Sequence, residues 1–390
     1  MRILASLIVL AITSLLGLWG CAGFDAGYAA RVLIRQDAGT EDYLWKASAP
    51  VPAPAAASLM PRNPDPNAVT RAFAEESGID DIDRYLRDGK TLALVILRDG
   101  ALMYEWYGNG GGADKPAAAF SVSKTVVSLL LARTIASGEI GSIDLPITQF
   151  APELLARDPR FDQITLDQLV DMRSGIGFSE HTSFPWVNQD APAVYYASDL
   201  ERTILERPRI VSDPGVFLYN DYAPNLIGLA LREATGQPLA SGPMQAFWSE
   251  LGAAHDAAWS IDEKGFAWHE SGLIITAIDL ARIGQLMLDG GAVDGRQVAP
   301  PAFLSRSLEN DGSGVAATFA GIDVGYRNAW WFGENPSGAD DIWGMGRFGQ
   351  ILLISPENNV VIARLGQDGG PETNIEIVSR LRRVADRIGG

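Results

Sequence analysis

Apolar residues gather in a few stretches of the chain, and the spacing within each predicts a different element. Residues 3–20, ILASLIVLAITSLLGLWG, are apolar or neutral throughout and follow Arg2, the pattern of a signal h-region or a membrane-spanning helix. Residues 22–47 mix polar and apolar positions and read as a membrane-proximal arm. APVPAPAAASLMPRNPDPNA, 49–68, is rich in Pro and Ala and predicts a linker. The folded body is then expected from Val69 onward. TLALVILRDGALMYEWYG, 91–108, is two apolar runs joined at Asp99-Gly100, a strong hairpin signal. QILLISPENNVVIARLG, 350–366, is a second hairpin turning at Pro356–Asn359.

Between the hairpins the period changes to that of helices. From Ser121 to about Ser137 the helical spacing is apolar on nearly every side, which predicts a central buried helix. ITLDQLVDMRSG and APNLIGLALREATG each end in a glycine suited to a C-cap, as does AIDLARIGQLMLDGG at 277–291. TNIEIVSRLRRVADRI, 373–388, predicts a closing helix. The expected fold class is α/β (α+β): one antiparallel sheet assembled from both chain ends, flanked by helices, with a helical insertion over about 140–270. The expected division is 1–20 signal or membrane anchor, 21–68 arm and linker, and 69–390 the folded domain.

Composition narrows the function. A net charge of −17 repels phosphate backbones and argues against a nucleic-acid partner. Cys21 is the only cysteine, so intrachain disulfides and cysteine metal sites are excluded. His181, His255 and His269 are widely spaced, so no metal site is expected, and no phosphate loop or other cofactor motif predicts a cofactor. LWGC at 18–21 resembles a bacterial lipoprotein box, with Trp19 a poor fit. Two readings stay open, lipid attachment at Cys21 or an uncleaved anchor helix. Either places the body on a bacterial membrane, facing the periplasm or exterior.

The candidate chemistry lies in FSVSKTVVSLLLA, 120–132. The chain has five lysines and 26 arginines, yet Lys124 is the charge set into this apolar helix. Ser121 and Lys124, three residues apart, share a helix face. A serine hydroxyl needs a neighbouring base. Burial lowers a lysine's pKa towards the neutral amine that can serve, whereas arginine stays charged. One S-x-x-K match arises by chance about once in a chain of this length, so context has to carry the reading.

That context resembles the serine β-lactamase and penicillin-recognising hydrolase family, nearest its esterase and nylon-oligomer (aminohexanoate-dimer) hydrolase branch. The resemblance rests on FSVSKTVVSLLLARTIASGEIGSIDLPITQFAPEL, ITLDQLVDMRSGIGF, DPGVFLYNDYAPNLIGLAL, ESGLIITAIDLARIGQLML and GMGRFGQILLISPENNVVIARLG, in that order across residues 70–385. It implies a β-lactamase/transpeptidase-like fold, Ser121 as acylated nucleophile, Lys124 as general base and Tyr219 as proton-relay partner. The third family motif falls on Gly344-Met345-Gly346, with the Arg347 N–H as second oxyanion donor beside that of Ser121. Two departures stand out: Asp221 where β-lactamases carry Asn, and Gly344-Met345 where they carry a cation. The resemblance thus implies an ester or amide substrate with little or no β-lactamase activity. The small Gly344 and flexible Met345 suggest a gap for an apolar acyl group, and Gly346 and Asp221 join the candidate binding residues. Trp186, Trp268, Trp330, Trp331 and Trp343 are candidates for the pocket or for the core. Glu180, His181, His269 and Glu270 are weaker candidates near the site. Two alternatives stay open: a peptidoglycan D,D-carboxypeptidase or D-aminopeptidase-like enzyme, and a catalytically idle envelope binding protein.

Overall fold

Asp99 and Gly100 make the turn the sequence predicts. Both adopt positive φ (51° and 73°) and join β2 (Thr91–Arg98) to β3 (Ala101–Tyr107), the backbone that Asp-Gly favours in tight hairpins. The computed structural model describes residues 26–182, 189–308, 315–319, 321–334, 338, 340–367 and 369–389, with residues 13, 14, 17 and 20 of the N-terminal segment. The expectations placed on residues 1–12, on Cys21 and on Trp186 lie outside the described residues. No helix among the described residues is long and apolar enough to cross a membrane.

The two predicted hairpins meet in one sheet. Its strands run β7 (Ala317–Phe319), β8 (Ile322–Arg327), β9 (Trp330–Glu334), β10 (Asp340–Gly346), β11 (Gln350–Ser355), β12 (Val360–Gly366), β2 and β3, antiparallel throughout. The seam between the chain ends is β12 against β2, where Ile362 faces Ile96. The two hairpin turns clasp each other: Asp99 N–H donates to the Asn359 carbonyl at 3.0 Å, and Asn359 Nδ2 donates to Asp99 Oδ1 at 3.0 Å. Both central strands are buried along nearly their whole length, so they read as continuous apolar runs.

Helices cover both faces. On one lie α2 (Ser123–Ala136) and α4 (Ala277–Leu288), the latter against Leu352 and Val361. On the other lies α5 (Asn374–Gly389), whose Arg382 crosses to Asp341 of β10 at 3.1 Å with its guanidinium 4.9 Å from the Trp343 ring centre. Gly344 faces α2: a Cβ there would lie 3.0 Å from Thr125 Cγ2 and 3.2 Å from Val122 Cγ1. The missing side chain therefore lets helix and strand approach. It is not the gap for an acyl group that the sequence suggested, and Met345 packs against the core.

The Pro/Ala-rich stretch departs most from expectation. Ala47–Val51 is not linker but β1, the edge strand of a second sheet ordered β1, β5 (Ala257–Ile261), β6 (Leu273–Ile275), β4 (Ala117–Ala118). Pro50 sits in it because an edge strand has one side with no ladder bonds to lose. A helix, Pro66–Ser77, starts inside the expected linker, with Asp65 accepting from the Ala68 N–H at 2.9 Å. Residues 140–270 hold a series of short helices around the longer α3 (Tyr222–Thr235), and they also supply β5, which the helical period does not show.

Arg382→Met would remove the Arg382 guanidinium from Asp341, which is fully buried. It is expected to reduce unfolding free energy by roughly 3 kcal/mol, the scale for stripping one partner from a buried pair, read from the urea midpoint. A loss under about 1 kcal/mol would show that the pair behaves like a surface one.

Candidate active site

Three separate segments converge on the Lys124 amine. Ser121 precedes α2 in a short 3-10 turn, Phe120–Val122. Phe120 holds a positive φ of 48°, a costly conformation for an aromatic residue. Its ring packs edge-on against Phe348, 5.2 Å between centres, and Phe348 also has a positive φ of 63°. The residue after one strained phenylalanine is Ser121, and the residue before the other is Arg347, so each candidate oxyanion donor sits beside a fixed kink. Gly346 completes the approach. A Cβ there would lie 2.5 Å from the Ala119 carbonyl oxygen and 3.1 Å from the Ser121 nitrogen, so only glycine allows β10 to bring the Gly346–Arg347 peptide against the Ser121 backbone. Asn374 pins this turn, donating to the Gly346 carbonyl and accepting from the Gly349 N–H, both at 2.8 Å.

The second segment is Tyr219-Asn220-Asp221, directly before α3 (Tyr222–Thr235). Asn220 Oδ1 accepts from the Ala223 N–H at 2.7 Å, so Asn220 satisfies the start of the helix. The Asp221 carboxylate instead turns to Lys124, with Oδ1 2.8 Å from Nζ. Tyr219 stacks on Trp331 with ring centres 5.7 Å apart, and Lys124 Nζ lies 4.9 Å from its ring centre. The third segment is the turn before β6, where the Glu270 carbonyl accepts from Lys124 Nζ at 3.2 Å. Asn225 ties the last two segments, donating to the Asp221 carbonyl at 2.7 Å and accepting from the His269 N–H at 3.0 Å.

Lys124 Nζ also lies 2.9 Å from Ser121 Oγ, giving the amine three oxygen partners. Two charge states fit that geometry. An ammonium donates to all three, whereas a neutral amine donates to Asp221 and Glu270 and accepts the serine proton. Burial lowers the lysine's pKa, as the sequence argument expects. The Asp221 carboxylate 2.8 Å away, with Glu270, more than offsets burial and holds it above the ordinary lysine value. That balance favours the ammonium form at rest. Burial raises the Tyr219 phenol above its ordinary value, although Lys124 opposes this, so the phenol also keeps its proton.

A cavity of about 330 Å³ opens beside Ser121 and is lined by Asp221, Glu270 and Arg347 among others. The Arg347 guanidinium is already paired, its two terminal nitrogens 3.1 and 3.2 Å from the two Asp37 oxygens. It does not restore the missing family cation. Glu270, which the sequence left as a weak candidate, is buried at 2% exposure. Its Oε1 accepts from Ser271 at 3.0 Å, and its Oε2 has no partner among the described residues. Burial and the nearby Asp221 raise its pKa. His269 is buried with its ring on Phe266, and burial lowers its pKa to about 3, so it stays neutral. Glu180 lines the cavity from an exposed position. Trp330 and Trp343 are core, Trp331 backs Tyr219, and Trp268 is buried behind the site. Sequence reasoning missed the arm residues Gln36, Asp37 and Ala38 and the pair Tyr195-Tyr196, all of which line the cavity. One signal was available: Tyr28, Ala29 and Val32 form an apolar face at helical spacing.

The fold agrees with what known proteins show. A family model described as Beta-lactamase matches residues 80–386, and the chain belongs to that family. With Ser121 and Lys124 in contact, it is a serine hydrolase of the β-lactamase fold. It is 27% identical over 329 residues to the 6-aminohexanoate-dimer hydrolase of Paenarthrobacter ureafaciens, covering 78% of this chain and 80% of that one. The solved "Putative 6-aminohexanoate-dimer hydrolase" of Bacillus anthracis superposes with a TM-score of 0.77 at 24% identity, over 89% of this chain and 92% of that one. A family VIII carboxylesterase shares the fold at a TM-score of 0.61 and 14% identity, over 85% and 99% of the two chains.

Asp221→Asn removes the anion and leaves the burial, so the Lys124 pKa falls. The Lys124 side-chain nitrogen, followed by 15N NMR, is expected to titrate about one unit or more below its wild-type midpoint. An unmoved midpoint, or one shifted upward, would contradict the assignment.

Proposed function

We propose that this protein hydrolyses an uncharged ester or amide in two steps through an acyl-Ser121 intermediate. The observation that carries the reading is the placing of Lys124 Nζ 2.9 Å from Ser121 Oγ and 2.8 Å from Asp221 Oδ1. Substrate entering the cavity covers the exposed edge of Asp221 and excludes water. A charge-separated pair without hydration lies closer in energy to its neutral form. The Lys124 proton then passes to Asp221, and the neutral amine takes the proton of Ser121 as Oγ bonds to the carbonyl carbon. The carbonyl oxygen, now negative, lies against the N–H groups of Ser121 and Arg347. Tyr219 donates its proton to the leaving oxygen or nitrogen and is reprotonated from Lys124. Water then attacks the acyl carbon as the neutral Lys124 takes its proton, that proton passes through Tyr219 to Ser121 Oγ as the acid leaves, and Asp221 returns its proton to Lys124.

The charge pattern bears on substrate choice. Asp221 stands where an amide donor is expected, and the Arg347 guanidinium is taken by Asp37. A free carboxylate on the substrate would therefore meet an acid and no available cation, which disfavours β-lactams and peptidoglycan stems. The aminohexanoate dimer named for the relative in Paenarthrobacter carries, in its open form, the free carboxylate that this reading disfavours, so it is the amide that tests the charge argument most sharply. In the same reading, residues 3–20 tether the enzyme to a membrane, a role supported by their unbroken apolar run.

A fluorophosphonate probe is expected to modify Ser121 in the wild type and not in Ser121→Ala, with Lys124→Met slowing modification by about 10³-fold. Nitrophenyl-ester kcat/KM should exceed that for benzylpenicillin by roughly a hundred-fold or more. Wild-type protein that neither reacts with the probe nor cleaves any ester or amide would overturn the proposal.

A further inference from the structure

The family match begins at residue 80, yet part of the cavity wall comes from far upstream. Helix α1 (Ala26–Arg35) lays Tyr28, Ala29 and Val32 against Tyr196 in a small core of its own, which Trp45 and Tyr195 extend. Beyond α1 the chain turns through Gln36, which has a positive φ of 62°, so that Gln36, Asp37 and Ala38 border the cavity that Ser121 opens into.

Independent contacts hold the turn in place. Asp37 forms the bidentate pair with Arg347, the residue whose backbone N–H is the second candidate oxyanion donor. Asp42 is buried and accepts from the Tyr195 hydroxyl and the Gly39 N–H, each at 2.9 Å. Arg31 donates to the Tyr196 carbonyl at 3.0 Å. Lys46 lies deeper, its Nζ 3.5 Å from the Tyr195 ring centre and 4.1 Å from that of Trp268, and it donates to the Tyr195 carbonyl at 3.1 Å. Burial lowers its pKa to about 7 and Glu270 opposes the shift, so the arm also brings a titratable amine near Glu270. From Ala47 the arm continues as β1, hydrogen-bonded along β5.

An arm that only packed on the body would not need to send a turn to the catalytic serine and clasp it to an oxyanion-strand residue. We propose that the arm turn Gln36–Ala38 is the specificity-determining wall of the substrate cavity, limiting acyl-group length and held by the Asp37–Arg347 clasp. The inference rests on the serine-hydrolase reading and adds to it which residues bound the substrate. Ala38 is the informative position, since its small side chain leaves room that a larger one would take. Asp37 is the hinge of the clasp, and losing its charge loosens the wall without adding bulk.

The test uses the full-length chain and the ratio of kcat/KM for p-nitrophenyl octanoate to that for the acetate. Ala38→Trp is expected to lower the ratio about tenfold, the scale of a few methylenes excluded from a pocket. Asp37→Ala is expected to raise it severalfold as the wall loosens. A merely structural arm would change both substrates together and leave the ratio constant. An unchanged ratio in both variants, with cooperative melting retained, overturns the proposal. Should Ala38→Trp fail to fold, Asp37→Ala decides by the same criterion. A wild type inert to both esters and to the fluorophosphonate probe would instead sink the hydrolase reading, and this inference with it.

Discussion

A lysine that is 2% exposed cannot remain charged without partners, and Lys124 finds them on three separate segments. Moving an ammonium ion out of water costs several kcal/mol even after the protein relaxes. The Asp221 carboxylate, the Ser121 hydroxyl and the Glu270 carbonyl together offset that cost. The strain at Phe120, the Asn220 cap and the Asn225 bridge each position one of those partners. The Ser-Lys contact is thus a consequence of where two helices begin and where one strand lacks side chains.

The Asp221 carboxylate has two consequences that pull apart. It secures the ion pair and the local geometry, and it makes the lysine a poorer base at rest. The site works as a base when the pair gives up its charge, which a substrate that displaces water would favour. The same carboxylate adds an anion to the cavity wall, where the Arg347 guanidinium is paired with Asp37. In the proposed reading, the charge state of Lys124 and the preference for an uncharged substrate both follow from Asp221.

The hairpins and the central helix were legible because local chemistry specifies them. Asp99-Gly100 demands its turn, and residues 121–137 leave no polar face to expose. Ser121, Lys124 and Tyr219 were legible through the order of motifs, and they converge. The arm was not, because β1 is specified by its partner β5, more than two hundred residues away, and because Pro50 hides a strand that tolerates it only at an edge. The role of Gly344 was misread for a related reason: the sequence shows that a side chain is missing but not which neighbour fills the space. The charge of Lys124 was misjudged because burial can be read from an apolar helix, whereas the carboxylate opposing it comes from another segment.

The protonation state of Lys124 in the resting enzyme can be measured directly. With five lysines in the chain, 15N-lysine NMR resolves the side-chain nitrogens, and Lys124→Arg identifies its signal by loss. The account predicts that the Lys124 Nζ signal is that of an ammonium ion through neutral pH and into the alkaline range. A neutral amine at pH near 7, with Asp221 intact, would contradict it.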